Sequence, residues 1–419
     1  MLFRFSLYGF LKNQRYFEPF LVLAFLDRGL DFTQIGLLVA VRELSLNLCE
    51  IPSGAIADTY GRRRCMIASF VAYIASFATL GFGSNFLHFA AAMLLYGVGD
   101  AFRTGTHKAM ILDWLRSEGR EQEGTRVYGY TRSWSKAGSA VSSLIAAAFV
   151  FHTGRYSDIF LFSIIPYAGN LVNLATYPAH LDADTRKKAN SAEVYRRALS
   201  VAKHVIREPK LRFVIIESMT FEGVYAAVKD YLAPVLVALA VALPLATGLE
   251  GAHRTALVVG AVYFSLHILS SVASRNAHRA ESRWGGAEPA THNLWLAVCL
   301  LFTLLLPLLY WKIHALAAGG FILLAVIQNL WRPILVARLD RHSDPKSGAT
   351  VMSCEAQARS AATMALAPLL GALVDGLHTG APNGAPSYWP VAALGWGTAA
   401  TMLIVRRRSR RRAAIRSSE

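Results

Sequence analysis

Twelve apolar segments of roughly helix length recur along this chain at short intervals, and this repetition limits its possible folds more than any single motif. They cover residues 3–28, 33–57, 65–83, 86–114, 124–151, 158–180, 210–243, 254–274, 291–311, 313–338, 347–376 and 387–405. Inside a bilayer every backbone N–H and C=O must be bonded within the protein, so crossings are made by helices or closed barrels. A helical crossing needs about twenty predominantly apolar residues. The pattern predicts an all-α membrane protein with twelve transmembrane helices. Twelve crossings use roughly 240 residues, a little over half of the 419. The composition agrees: 54% of residues are hydrophobic and 17% charged, against about 25% charged in a typical soluble domain. Most classes of cytosolic enzyme are excluded on this ground.

The net charge is +16, from 43 Lys and Arg against 27 Asp and Glu. In a soluble protein such an excess points to nucleic acid. Here the basic residues collect in alternate loops. They are Arg62, Arg63 and Arg64; Arg116, Arg120 and Arg126; Arg186, Lys187, Lys188, Arg196, Arg197 and Lys203; Arg275, Arg279 and Arg283; and Arg338, Arg341 and Lys346. Arg406, Arg407, Arg408, Arg410, Arg411 and Arg412 add a basic tail. The opposite loops offer only Arg28, Arg155, Arg254 and Lys312. Cytoplasmic loops gather Lys and Arg, so both termini are expected in the cytoplasm, and the charge needs no nucleic acid partner. The tail reads as a solvated segment that sets topology, within reach of anionic headgroups. The opening MLFRFSLYGFLKNQRYFEPF reads as a first span rather than a signal peptide, because Lys12, Arg15 and Glu18 interrupt any apolar core. Cys49, Cys65, Cys299 and Cys354 are far apart with no CxxC pair. Neither a metal site nor a disulfide framework is expected, nor any cofactor.

Six spans precede residues 181–209 and six follow. That stretch is polar and basic, with Val194, Leu199, Val201 and Val205 placed for the apolar stripe of a surface helix. Two six-span halves on a long linker suggest a duplicated transporter architecture. The expected organisation is a first bundle over 1–180, a cytoplasmic linker with an amphipathic helix over 181–209, a second bundle over 210–405 and a basic cytoplasmic tail over 406–419.

After the second span the chain reads Gly54-Ala55-Ile56-Ala57-Asp58-Thr59-Tyr60-Gly61-Arg62-Arg63-Arg64, a G-x-x-x-D-x-x-G-R-R pattern. Gly54 is expected to let two helices approach closely. Asp58 at a helix end suits bonding to N-terminal amides or an arginine. Gly61 permits a turn of positive φ, and the arginines sit at phosphate level. This loop resembles the signature between the second and third spans of the major facilitator superfamily, and the topology of the whole chain resembles that family's bacterial transporters. The resemblance implies two pseudo-symmetric six-helix halves, and a conformational latch formed by Gly54, Asp58, Gly61, Arg62 and Arg63. Residues 99–113, ending in Asp113, look like a fourth-span pattern of bacterial facilitators. Gly348-Ala349-Thr350-Val351-Met352-Ser353-Cys354 is similar to an R-A-T-V-x-S start of the eleventh span, with Gly348 in place of Arg. The G-P-x-x-G-G pattern of drug/proton antiporters is missing from the fifth span, which reads Ala137-Gly138-Ser139-Ala140-Val141-Ser142-Ser143. The echo of the loop motif expected at 271–286 is degenerate.

Ionisable groups inside spans are costly and face a cavity or a partner. Gln14, Arg15 and Glu18 share a face in the first span, where Pro19 is expected to bend the helix. Glu43, Asn47 and Glu50 form a stripe on the second span, Asp100, Arg103 and His107 on the fourth, and Tyr128, Arg132 and Lys136 on the fifth. Pairing of Glu43 or Glu50 with Arg132 or Lys136 would brace helix contacts. Glu18, Arg103 and His107 read as functional. Imidazole titrates near neutral pH, and a buried carboxylate such as Glu18 or Glu50 is a candidate proton carrier. Glu355 and Arg359, four apart on the eleventh span, are expected to pair, and Lys229 and Asp230 to be solvated. In the facilitator fold, spans one, four, seven and ten line a central cavity. The resemblance therefore points at Asn13, Gln14, Glu18, Arg103 and His107 in the first half, and at Glu222, Tyr225, Gln328, Asn329 and Arg332 in the second.

Across spans one to five, Lys12, Arg15, Arg42, Arg103, Lys108, Arg132 and Lys136 outnumber Glu18, Glu43, Glu50 and Asp100. Buried positive excess favours an anionic or zwitterionic ligand. The leading reading is a secondary transporter of a small solute by alternating access, with protons as possible coupling ion, acting as a monomer in the inner membrane. A multidrug exporter is the alternative, and a non-transporting receptor on the same fold belongs to another class. An enzyme is not expected: H-E-x-x-H, G-x-S-x-G and a nucleotide-binding loop are all missing.

Overall fold

The computed structural model describes residues 1–104, 106–178, 205–243, 248–249, 251–343, 348–378 and 387–418, with Arg196, Ser200 and Lys203 as isolated points. The described residues form fifteen α-helices and three short 3-10 turns. The helices are α1 (Leu2–Lys12), α2 (Leu21–Asp27), α3 (Phe32–Tyr60), α4 (Arg62–Phe82), α5 (Phe86–Arg103), α6 (Thr106–Ser117), α7 (Gly124–Thr153) and α8 (Ile159–Ala175). They continue with α9 (Pro209–Val228), α10 (Leu232–Ala242), α11 (Gly251–Arg283), α12 (Ala287–Tyr310), α13 (His314–Arg341), α14 (Gly348–His378) and α15 (Trp389–Ser418). Among the described residues, eight helical segments are long and apolar enough to cross a membrane. Three of the twelve expected spans are broken in two: α1/α2, α5/α6 and α9/α10. Most of the amphipathic stripe expected over 194–205 lies outside the described residues.

Each break has a local cause. In the first span the helix stops at Lys12 and resumes through a 3-10 turn at Glu18–Phe20. Pro19 has no amide to donate, and Asn13 satisfies freed backbone by donating from Nδ2 to the Gly9 carbonyl at 2.7 Å. The span expected to bend here is interrupted outright. In the fourth span Thr104 turns to extended backbone, while its amide and hydroxyl both donate to the Asp100 carbonyl, at 3.0 and 2.8 Å. The stripe expected through Asp100, Arg103 and His107 is therefore split, because His107 belongs to α6. In the seventh span a 3-10 turn at Lys229–Tyr231 separates α9 from α10, and Lys229 and Asp230, both partly exposed, pair at 2.5 Å.

The chain divides into two compact units. The first comprises Met1–Leu30, Leu37–Ser200 and Ala240–His267. Here α4 packs on α5 and α8, and α1 packs on α7 and α8. Hydroxyls join the neighbours of α5: Ser45 on α3 donates to the Leu94 carbonyl at 2.8 Å, and Ser69 and Ser76 on α4 donate to Gly99 and Ala92, each at 2.7 Å. Such small polar residues let helices approach and bond where hydrophobic burial gives little preference. Phe70, Tyr73, Phe77, Tyr96 and Tyr167 interlock edge to face at the centre. Arg28, beyond the end of α2, donates to the Leu80 and Gly81 carbonyls at 3.0 and 2.9 Å, to the Gly83 carbonyl, and to the Ser157 hydroxyl at 2.9 Å. Between α6 and α7, a hydrogen bond from Arg120 holds the Glu123 carboxyl below its ordinary range.

The second unit comprises Asp31–Gly36, Val201–Leu239 and Ile268–Glu419. There α12 packs on α15 and α13, and α9 packs on α14. Phe221, Trp295 and Trp331 pack together at its centre, Trp295 edge to face with the other two rings. Arg406 was expected in a solvated tail, yet α15 continues through it and its side chain is 3% exposed. It donates to Glu217, and to Glu288 at 3.0 Å. Arg338, 2% exposed, donates to the same two carboxylates, each at 2.7 Å. Charge pairing in the protein, rather than water, decides where these two arginines lie.

Candidate functional site

A cavity of about 450 Å³ opens within the first unit between α1, α6 and α7. Backbone contact sets its walls. A Cβ on Gly138 of α7 would lie 2.6 Å from the Phe10 carbonyl of α1, and one on Gly9 would lie 2.6 Å from the Ser135 hydroxyl. The lining is basic. Lys12, Arg103, His107, Lys108, Arg132 and Lys136 all contribute, with Asn13 and the hydroxyls of Thr131, Ser135 and Ser139, and among the described residues no carboxylate lines it.

Among the described residues, Arg103 is the one lining group with a direct carboxylate partner. Arg103 donates to Asp100 Oδ1 at 3.0 Å and to the Tyr73 hydroxyl at 3.0 Å. The Tyr73 hydroxyl donates to the same carboxylate oxygen. Lys108 lies 5.4 Å from the centroid of the Tyr128 ring, a weaker cation–π attraction. Among the described residues no carboxylate lies within ion-pair distance of Lys12, Lys108, Arg132 or Lys136. Lys12 is only 8% exposed. His107 stacks on Tyr8 with ring centroids 3.7 Å apart and meets the edge of Phe5 at 5.6 Å. Its Nε2 is buried without a hydrogen-bond partner.

Of the residues expected in the first half, Asn13, Arg103, His107 and Arg132 meet at this cavity, and Asp100 backs Arg103. Gln14 is 2% exposed and donates to the Gly138 carbonyl at 3.2 Å, bracing α1 on α7 instead. Glu18 is 3.7 Å from Arg15 and lies off the lining, as does Glu50. Glu43 is bonded by the adjacent Arg42 at 2.7 Å, in place of the expected partners on the fifth span. Lys12, Lys108 and Lys136 were counted as charges but not as site residues. The four-residue spacing of Tyr128, Arg132 and Lys136 was the signal, since all three line the cavity on α7.

The second unit holds a separate buried cluster. Glu222 on α9 is 4% exposed and accepts from Gln328 Nε2 at 3.3 and 3.1 Å. Arg332 lies 4.0 Å from Glu222 but forks onto Glu355 at 2.7 and 3.0 Å. Glu355, expected to pair with Arg359 on its own helix, is thus taken by the guanidinium of α13, whose planar fork matches both carboxylate oxygens. The Ser218 hydroxyl also donates to Glu355. Asn329 bonds its own helix at Ala325, 2.9 Å away, and stands apart from the cluster.

At the loop motif, Gly61 has φ +100° between α3 and α4. Arg62 pairs with Asp113 at the far part of α6, and Arg116 shares that carboxylate at 3.3 Å. Arg63 donates to the Ala175 carbonyl at 2.7 Å. The close approach expected at Gly54 is not found among the described residues, where a Cβ there would meet nothing within 4 Å. The role expected of the Asp58 side chain lies outside the described residues.

This arrangement of helices and sites can be set beside known proteins. The model of the Major Facilitator Superfamily matches residues 13–368. The chain belongs to that superfamily, and it is a multi-pass membrane protein. An uncharacterized transporter of this type, YxaM of Bacillus subtilis, is 29% identical over 117 residues, 28% of each chain. A probable L-galactonate transporter of Escherichia coli is 29% identical over 128 residues, 30% of this chain and 27% of that one. The aligned stretches thus span less than a third of these relatives. The nucleoside transporter NupG, in a mutant crystal structure, superposes with a TM-score of 0.79 at 12% identity, over 96% of this chain and 98% of that one. A D-xylose-proton symporter gives 0.67 at 13% identity over 96% of each chain. At these identities the likeness is one of fold.

Proposed function

We propose that this protein is a secondary transporter that moves a small organic anion by alternating access, with the cavity of the first unit as its binding site. The observation that carries the reading is a cavity wall on which, among the described residues, four cations lack carboxylate partners and no acidic residue is found. Charges inside a membrane protein are retained where they serve a ligand, an ion or a partner. Arg103 is paired but Arg132 is not, so the positive excess read from the sequence persists in the site. A lipophilic cation would find only aromatic faces there, which weighs against multidrug export. The name of the probable L-galactonate transporter, whose substrate is a sugar acid anion, is in keeping with this choice.

Coupling is assigned to protons carried by Glu222. Its carboxylate is buried and held by a neutral amide, whereas Glu355 beside it is locked by Arg332. Glu222 meets Arg332 only at 4.0 Å, so a change in its protonation leaves the closer Arg332–Glu355 fork in place. The latch role of Asp58, Gly61, Arg62 and Arg63, location in the inner membrane as a monomer, and cytoplasmic termini complete the reading.

The test is uptake into proteoliposomes of purified protein, with an inward proton gradient and a panel of organic anions, amino acids, sugars and lipophilic cations. Gradient-driven uptake of an anion is expected, with Arg132→Gln reducing it at least tenfold. Glu222→Gln should abolish gradient-driven accumulation and retain exchange of internal for external substrate. Uptake of lipophilic cations instead of anions would overturn the anion reading, and identical uptake with and without the gradient would overturn the coupling.

A further inference from the structure

The cavity carries more positive charge than one anionic group neutralises. Lys12 on α1, Lys108 on α6, and Arg132 and Lys136 on α7 all face it without a carboxylate partner. Arg132 and Lys136 stand four apart on one helix, where like charges repel. Lys12 is buried and Lys136 half-buried, where such repulsion is stronger than in water, while Lys108 and Arg132 are exposed at the cavity's open side. A structural brace would place a carboxylate here, as Asp100 does for Arg103. Beside the cations, the Ser135 and Ser139 hydroxyls spend their protons on backbone carbonyls one turn back, each at 3.3 Å. Their remaining lone pairs are acceptors, suited to hydroxyl donors on a ligand. An ammonium group would meet no carboxylate on this wall, which disfavours amino acids.

We infer that the transported solute is a hydroxylated dianion, with two separate anionic groups on a polyol chain, rather than a monocarboxylate or a zwitterion. This rests on the anion reading above and narrows it. The two anionic groups divide between the α7 pair and the Lys12 and Lys108 amines, and the ligand's hydroxyls bond to Ser135 and Ser139. Both carboxylates and phosphate esters supply this chemistry.

A matched series on one carbon skeleton tests it by calorimetric titration of the purified protein: glucose, gluconate, glucarate, 6-phosphogluconate and glucosamine. Glucarate or 6-phosphogluconate is expected to bind at least tenfold tighter than gluconate, with glucose and glucosamine weaker still. Whichever of the two binds tighter identifies carboxylate or phosphate as the second group. Lys136→Gln, and separately Lys12→Gln, should weaken binding of the doubly anionic ligand by a larger factor than binding of gluconate, because each removes part of one of two anion contacts; an equal loss for both ligands would overturn the division of the anionic groups. The unaltered protein provides an independent reading: affinity for the dianion should fall with added salt about twice as steeply, on logarithmic axes, as affinity for gluconate. Gluconate binding as tightly as both dianions would overturn the inference and leave the anion reading standing. Failure of every anion to bind to folded protein would overturn both.

Discussion

Replacing Glu217 with Gln tests whether the buried charge network of the second unit is held together by charge or only by shape. Glu217 is fully buried and accepts from Arg338, Arg406 and the Trp295 indole, the last at 3.3 Å. Gln keeps the volume and one acceptor but removes the charge. Two guanidiniums, 2% and 3% exposed, then face only Glu288, which is 53% exposed. Breaking a buried pair by removing one partner costs about 3–5 kcal/mol, because a charge is left uncompensated in a poorly polarisable interior. With an unfolding entropy of roughly 2.1 cal/mol/K per residue, a chain of this length shifts by about 1 °C for each kcal/mol. The melting temperature in detergent, followed by tryptophan fluorescence, should fall by about 3–5 °C. Combining Glu217→Gln with Arg406→Met removes both members of a pair and should cost less than the two single changes together, by at least about 1 kcal/mol. A shift below 1 °C for Glu217→Gln, or strict additivity in the double variant, would refute the argument that charge compensation holds this end of α9, α13 and α15.

Two backbone contacts yield further expectations. Gly138→Val drives a side chain into the Phe10 carbonyl; overpacking of this kind costs about 1–3 kcal/mol. Anion binding should weaken together with the melting temperature as α1 and α7 separate. Gly129→Ala on the same helix meets nothing within 4 Å and should leave both unchanged. Gly61→Ala places a side chain at φ +100°, a strain of about 1–3 kcal/mol, to be read as a lower melting temperature and slower transport in liposomes.

The twelve-span architecture was legible because membrane crossing imposes a length and a polarity that no other context demands. The turn at Gly61 was legible for a related reason: a glycine between two long helices, followed by arginines, has few other uses. The site was only partly legible. Arg103, His107 and Arg132 could be picked out because charges within spans are rare. Lys12 and Lys136 were not separable from bracing charges until α1 and α7 were seen in contact through Gly9 and Gly138. The break after Arg103 depends on Thr104 bonding back to Asp100, a local competition that periodicity does not record. Partner choice was the least readable feature. Glu355 had a cation at ideal spacing on its own helix, and a bidentate fork from α13 took it instead.

Arg28 counted, in the sequence, as one of a few positive charges on the sparsely charged loops. Its guanidinium serves four oxygen atoms, three of them carbonyls around the end of α4, and no carboxylate is among them. A lysine there would preserve every charge tally and every topology rule. It would also leave carbonyls stranded, because a single rotating ammonium lacks the planar reach that meets several acceptors at once. Residue bookkeeping by sign treats the two as synonyms. At this position they are different words, and the choice between them is made by directional valence, which a window of hydropathy or a sum of charges does not see.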